Sequence, residues 1–243
     1  MRLHRFYFDK ELVVGNNVVI SDEGLIHQLK DVFRLSESGK EVLLFNGLGG
    51  EFLCGIVSLT KKELVLHVIE KREKPNNRGD KKAVEVWLLA ALIKKDNFEW
   101  VIQKATELGV SHVLPIISER SEKKGLNMER ARKILIEASE QSGRVTLPTL
   151  NTPEYLDVVL ERLSNQDEEK MNFLAFDPSG KQFKISDKDD SKNIAILIGP
   201  EGGWTEKELE MFRSKNILIC NLGSQILRAE TAAIAVTSLL LLS

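Results

Sequence analysis

From Ala83 onward, apolar stretches alternate with amphipathic ones, and this feature constrains the fold more than any other. Val84 to Leu92 is a nearly unbroken apolar run, as a strand covered on both faces requires. Asp96 to Leu108 then carries Phe98, Val101, Ile102, Ala105 and Leu108 on one helical stripe. Asp96 is its expected cap, with Glu99 three residues on, and Gly109 ends it. His112 to Ile117 reads as the next strand, and Met128 to Ser142 as a helix stopped by Gly143. Phe173 to Phe176, Ile194 to Ile198 and Ile217 to Cys220 read as three more strands. A last helix begins near Ala229. This alternation predicts an α/β fold, a parallel sheet with helices on both faces.

The first 70 residues follow a different rhythm. Glu41 to Phe45, Glu51 to Leu59 and Glu63 to Glu70 are short strand-like runs, joined by Asn46-Gly47-Leu48-Gly49-Gly50 and Lys61-Lys62. They suggest a small barrel, interrupted by one helix with Ser21 as cap and Leu25, Ile26, Leu29, Val32 and Phe33 on its apolar face. Lys71 to Lys82 is polar, holds Pro75 and Gly79, and lacks periodicity. The expected organisation is therefore a barrel over 1–72, a linker over 73–82 and an α/β domain over 83–243.

At 243 residues with 42% hydrophobic side chains, the chain can bury a real core. Met1 to Phe8 lacks the apolar core of a secretory signal, and Ala232 to Leu242 is too short to span a bilayer. Cys54 and Cys220 lie far apart and His4, His27, His67 and His112 are scattered. Neither a metal site nor a disulfide is expected, and a soluble cytoplasmic protein fits best. The net charge of −2 does not point to nucleic acid. Its distribution is more telling: Lys71 to Lys82 and Arg120 to Lys133 each hold six basic and two acidic residues, whereas Glu154 to Asp190 holds five basic and ten acidic. That asymmetry permits a basic face able to contact phosphates, although a single charge run is more often a solvated surface.

Two segments carry the chemistry. Ile198-Gly199-Pro200-Glu201-Gly202-Gly203-Trp204-Thr205 leaves the end of an apolar strand and enters a helix. Thr205 and Glu208 can form a capping box, and Trp204 with Leu209 a hydrophobic staple. A glycine-rich loop at the carboxyl end of a buried strand is where ligands bind in open α/β sheets. The loop is neither GxxxxGK[ST] nor GxGxxG, and Glu201 would repel a pyrophosphate. A ligand with a positive centre and an adenine edge suits it better, and a side chain at Gly199 is expected to intrude on that ligand. The second segment, Asn221 to Ala233, also follows a strand and enters a helix. It places Arg228, Glu230 and Thr231 at the start of an otherwise apolar helix, where charges need partners.

Gly199-Pro200-Glu201-Gly202-Gly203, Leu222-Gly223 and Ile226-Leu227-Arg228-Ala229-Glu230-Thr231-Ala232 together resemble the SPOUT methyltransferases. More narrowly, they resemble the ribosomal RNA small subunit methyltransferase E family. Further matches run along the chain: Arg2, His4, Arg5 and Phe6; His27 with Val32-Phe33-Arg34; Phe98-Glu99 and Ile102 to Val110; Ser118-Glu119-Arg120-Ser121; and Glu137-Ala138 with Glu140 to Arg144. Lys94-Lys95-Asp96-Asn97 departs from the family's Lys-Gly-Asp-Lys or Lys-Gly-Asp-Arg, and Trp204 stands where phenylalanine or leucine is more usual.

The resemblance implies a PUA-like β-barrel followed by a SPOUT domain with a trefoil knot. It also implies a homodimer that uses S-adenosylmethionine to methylate N3 of a uridine in 16S ribosomal RNA of the small ribosomal subunit. Under it, Phe176, Ile198, Gly199, Glu201, Gly203, Leu222, Gly223, Ile226 and Leu227 hold the cofactor. Arg228 stabilises the uridine anion, with Glu230 orienting it. Arg2, His4, Arg5 and Arg34 contact RNA, while Phe6 reads better as core. A related enzyme acting on transfer RNA or on a ribose 2′-hydroxyl is the alternative, as is an inert RNA-binding assembly factor.

Overall fold

The structure is a computed structural model that describes residues 3–32, 39–72, 84–165, 171–188 and 192–242. The described residues fall into two compact units. One lies within residues 1–77 together with 139–147, the other within 78–138 together with 148–243.

The first unit is built on a five-stranded sheet of β1 (Arg5–Tyr7), β2 (Asn17–Ile20), β3 (Glu41–Phe45), β4 (Glu51–Leu59) and β5 (Leu64–Arg72), in the order β1-β3-β4-β5-β2. Only β1 and β3 run parallel; the remaining pairs are antiparallel. Phe6, Leu44, Cys54, Leu64 and Leu66 join Leu29 of the chain after a short helix, α1 (Glu23–His27), in one core. Phe6 is 1% exposed, so it is a core residue. The cap of α1 is Asp22, whose Oδ1 accepts from the Leu25 N–H at 2.6 Å, and not Ser21 as the sequence suggests. Both residues can cap, and the aspartate is in register with the third helical N–H. The expected apolar positions Val32 (side chain) and Phe33 lie outside the described residues, as does all of the proposed linker.

The second unit carries an all-parallel sheet, the arrangement that the apolar runs predict. It holds β6 (Glu85–Ala91), β7 (His112–Ile117), β8 (Thr149–Leu150), β9 (Glu154–Tyr155), β10 (Met171–Gln182), β11 (Asn193–Ile198) and β12 (Leu218–Asn221). The order is β12-β10-β11-β6-β7-β8, with β9 also on β7. Its helices are α2 (Lys95–Leu108), α3 (Met128–Ser142), α4 (Leu156–Ser164), α5 (Glu206–Ser214) and α6 (Ala229–Leu241). Leu156, Val159, Leu160 and Leu163 of α4 and Leu209 and Phe212 of α5 pack on Leu89, Leu114, Ala175 and Leu197 of the sheet. Helices α2 and α6 pack on one another, and α6 lies on β6 and β11.

The start of α2 differs from its expected place. Helix α2 begins at Lys95, its cap position is Lys94 with no side-chain capping bond, and Asp96 sits inside the first turn. There its charge faces the positive end of the helix dipole, which explains the acidic signal without a cap. Helix α4 has no counterpart in the sequence reading, because its apolar stripe is embedded in the acidic stretch from Glu154. Gly109 does terminate α2, at φ 108°, and its N–H reaches the carbonyls of Ala105 and Thr106. None of the described helices is long and apolar enough to cross a membrane.

Candidate functional site

In the sheet order, β11 lies between β10, which precedes it in the chain, and β6. From β6 the chain runs outward through β7 and β8, whereas β12, the strand after β11, lies on the opposite side, beyond β10. Open parallel sheets bind ligands at the carboxyl edge of such a reversal. A cavity of about 520 Å³ sits there, lined from Phe176 at the end of the β10–β11 pairing, from Ile198, and from Asn221 at the end of β12.

The two segments singled out in the sequence meet in this cavity. Ile198, Gly199, Glu201 and Gly203 line one wall, and Leu222, Gly223, Ile226 and Leu227 another, with Phe176 between them. Arg228 and Glu230 line it as well. Gly203 and Gly223 have φ of 69° and 112°, conformations that glycine adopts without strain. They let the main chain of both segments turn at the cavity wall.

The loop after β11 is held from behind. Thr205 caps α5 in a complete capping box with Glu208, as its sequence predicts. Glu208 is 6% exposed, and its Oε1 also accepts from the Glu119 N–H at 2.9 Å. The Thr205 hydroxyl donates to Glu119 Oε2 at 2.9 Å. Arg120 Nη1 donates to the carbonyls of Gly202 at 2.8 Å and Trp204 at 3.2 Å. Trp204 is buried edge-on against Phe212, and both belong to the cluster that includes Leu209. On the other side, Glu201 Oε1 accepts from the Lys94 N–H at 3.1 Å, which ties the loop to the start of α2.

Three findings go beyond the sequence reading. A Cβ on Gly199 would lie 3.1 Å from the Trp204 ring, so this glycine makes room for the indole. Arg120 braces the loop. The signal for it was present, since Ser118 to Ser121 follows the carboxyl end of β7, the same strand-end position as the two motif segments. Lys94 and Asn97 also line the cavity, so the segment that departs from the family pattern stands at its wall.

Arg228 is the cap residue of α6, exposed, and makes no side-chain capping bond. Glu230 follows in the first turn, half-buried, and its Oε2 is shielded from solvent with no hydrogen-bond partner. The expected pairing of Glu230 with Arg228 is therefore not made through that oxygen.

The expected RNA contacts belong to the first unit. Arg2 and Arg34 lie outside the described residues. His4 is partly exposed, with its ring 6.5 Å from that of Phe6. Arg5 is placed differently from its expected role. Its side chain is 8% exposed and pairs with Glu51 at 2.6 Å. It also donates to the Arg144 carbonyl at 3.0 Å and to those of Ser139 and Glu140 at 3.4 Å, with its guanidinium 5.1 Å from the Phe45 ring centre. A guanidinium whose donors are spent inside its own unit has none to offer a phosphate.

The family profile described as RNA methyltransferase domain matches residues 80–241. The ribosomal RNA small subunit methyltransferase E of Rickettsia conorii is 33% identical over 241 residues, covering 96% of this chain and 93% of its own. The protein of the same name from Bacillus subtilis is 33% identical over 220 residues, covering 85% and 83%. The crystal structure of a ribosomal RNA small subunit methyltransferase E from Neisseria gonorrhoeae bound to S-adenosyl methionine is similar at a TM-score of 0.84 and 28% identity, covering 98% of this chain and 96% of that one.

Proposed function

The chain belongs to the ribosomal RNA small subunit methyltransferase E family, and on that premise we propose that it methylates N3 of one uridine in 16S ribosomal RNA with S-adenosylmethionine. The observation that supports this most is the convergence of the Gly199–Trp204 loop and the Leu222–Glu230 segment on one cavity. Its volume of about 520 Å³ lies within the roughly 300–1,000 Å³ typical of small-molecule sites. The apolar side chains of Phe176, Ile198, Leu222 and Leu227 suit an adenine and a thioether chain, and the main chain turned by Gly203 and Gly223 offers polar groups to the remainder.

When bound, the cofactor supplies an electrophilic methyl group on a sulfonium. The protein's part is to align a uracil with it and to stabilise charge on the ring. Arg228 is exposed at the cavity, stays protonated and presents a planar fork, so it is the residue for that charge. Glu201 holds the loop through the Lys94 N–H.

The strand-rich residues 1–72 act as a PUA-like barrel that docks RNA, with His4, Arg2 and Arg34 as its contacts and 73–82 as the linker. Residues 83–243 form the SPOUT domain, whose C-terminal part is knotted as in its family. The enzyme works in the cytoplasm as a homodimer, on 16S RNA or the assembled small subunit.

Incubation with S-adenosylmethionine and either naked 16S RNA or small subunits, followed by nucleoside mass analysis, tests the reading. N3-methyluridine at one site is the expected product. A 2′-O-methyl nucleoside, or methylation of transfer RNA alone, would replace it with the related enzyme, and no product with either RNA would leave a binding factor.

A further inference from the structure

N3 of a neutral uridine carries a proton and has no free electron pair for a methyl group, so some group must take that proton. Among the described residues, three carboxylates line the cavity: Asp177, Glu201 and Glu230. Two are committed. Asp177 Oδ1 accepts from the Ser179 N–H at 2.9 Å and from its hydroxyl at 2.6 Å. Glu201 is exposed and accepts from the Lys94 N–H. Glu230 differs, because its Oε2 is shielded from solvent and has no donor. An ionised carboxylate is acceptor-only, so the one at the wall whose Oε2 has no donor keeps that acceptor capacity for a donor that a substrate brings. The other titratable groups at the wall do not serve. Lys94 and Arg228 are cations, and burial pushes the Cys220 thiol up to about 11, which keeps it protonated.

We propose that Glu230 is the general base that accepts the N3 proton of the target uridine, an assignment that rests on the uridine-N3 reading above. The carboxylate takes the proton, and the electron pair of the N–H bond remains on N3. That pair forms the bond to the methyl carbon as the carbon–sulfur bond breaks and its electrons go to sulfur. The products are N3-methyluridine, the neutral thioether and a protonated Glu230, which returns its proton to water. Arg228, two residues earlier, stabilises the negative charge that passes through the ring.

Glu230→Gln in the full-length protein tests this, since the amide keeps the shape but cannot take a proton. Calorimetric affinity for S-adenosylmethionine should stay within about threefold, with an unchanged melting temperature. The single-turnover rate should fall roughly a hundredfold or more. The variant's rate should rise steadily with hydroxide, which takes over the proton transfer. Glu230→Asp keeps a carboxylate and should retain more of the rate than Glu230→Gln. RNA with 5-fluorouridine at the target has a more acidic N3 and should restore the variant's rate by about tenfold or more. A wild-type rate in Glu230→Gln, or no recovery on the fluorinated RNA, overturns the assignment. A loss of cofactor affinity in step with the rate overturns it too, and makes Glu230 a cofactor ligand. Methylation by the wild type at another atom defeats the N3 reading itself, and nucleoside analysis reveals that before any variant is made.

Discussion

The indole N–H of Trp204 donates to the carbonyl of Phe176 at 3.0 Å, so the loop after β11 is pinned to the strand beside it. Phe176 is the last residue of the β10–β11 register and the point where the β10–β12 register shifts. One buried hydrogen bond thus joins the two strands that frame the cavity. Its geometry depends on the absence of a side chain at Gly199, which lies against the same indole.

Gly199→Val should therefore act through Trp204. The added carbons displace the ring, the Phe176 carbonyl loses its donor, and a buried unsatisfied group costs roughly 1–3 kcal/mol. Chemical denaturation should show that loss of stability, and calorimetry should show S-adenosylmethionine binding weakened by about tenfold or more, near 1.4 kcal/mol. Trp204→Phe removes the same donor without crowding and should reproduce the stability loss with a smaller effect on binding. If Gly199→Val lost affinity at full stability, its side chain would be meeting the ligand and not the indole.

Arg5 invites a test that separates structure from recognition. Removing one partner of a buried ion pair costs roughly 3–5 kcal/mol, because the other charge is left stranded. Arg5→Ala should therefore lower the denaturation midpoint strongly, through Glu51 and the carbonyls it abandons. At a temperature where the variant is still folded, the slope of log RNA affinity against log salt should not change. A residue that touches phosphate would reduce that slope by about one.

This residue also marks a boundary of what the sequence discloses. A parallel strand covered on both faces has to be apolar throughout, so β6, β7 and β11 stand out as runs, and the glycine loops at their ends follow from the same pattern. Arg5 and Arg34 look alike in one dimension, because burial of a charge is decided by a partner distant in the chain, here Glu51 and the 139–144 carbonyls. For the same reason Arg120 could be matched to a family motif while its partners, Gly202 and Trp204, stayed hidden. Helix α4 was obscured by its acidic surroundings: the apolar stripe of Leu156, Val159, Leu160 and Leu163 is regular, but its neighbours read as a solvated run. The cavity residues were legible because each motif segment follows a strand. Their spacing across the chain says nothing of which oxygen of Glu230 lacks a partner.

His112 gives the protein a pH dependence that can be isolated. Its ring stacks on Trp87 with centroids 3.5 Å apart. Burial holds it toward the neutral form, against a smaller opposing pull from Glu85, whose Oε2 is 3.4 Å from Nε2. The unfolded histidine takes up its proton near pH ~6.5, while the folded one does so only at lower pH. In that window the unfolded chain binds more protons, so stability falls as the pH drops below ~6.5 and levels off beneath the folded value. His112→Phe keeps an aromatic ring on Trp87 and removes the proton. Urea midpoints followed from pH ~7.5 to ~4.5 should fall less steeply for the variant in the upper part of that range. Parallel curves would mean that His112 is not held neutral.

Arg228 carries the last prediction. It caps α6 without a side-chain bond, is exposed at the cavity, and does not satisfy the orphan oxygen of Glu230. Truncating it should therefore leave the fold intact, since no internal partner is abandoned. If its guanidinium stabilises the charge that develops on the uracil, the interaction is stronger in the transition state than in the ground state and appears in kcat. Arg228→Ala should lower the single-turnover rate by roughly a hundredfold, as loss of a preorganised donor commonly does. The melting temperature should be unchanged, and cofactor affinity should fall far less than the rate. Arg228→Lys should recover little, because an ammonium keeps the charge but lacks the planar fork. A structural role would instead move melting temperature and rate together, and Lys would restore both in part. A normal single-turnover rate in Arg228→Ala would remove the arginine from the chemistry, and the charge on the ring would then have to be met by Lys94, the other cation at the cavity wall.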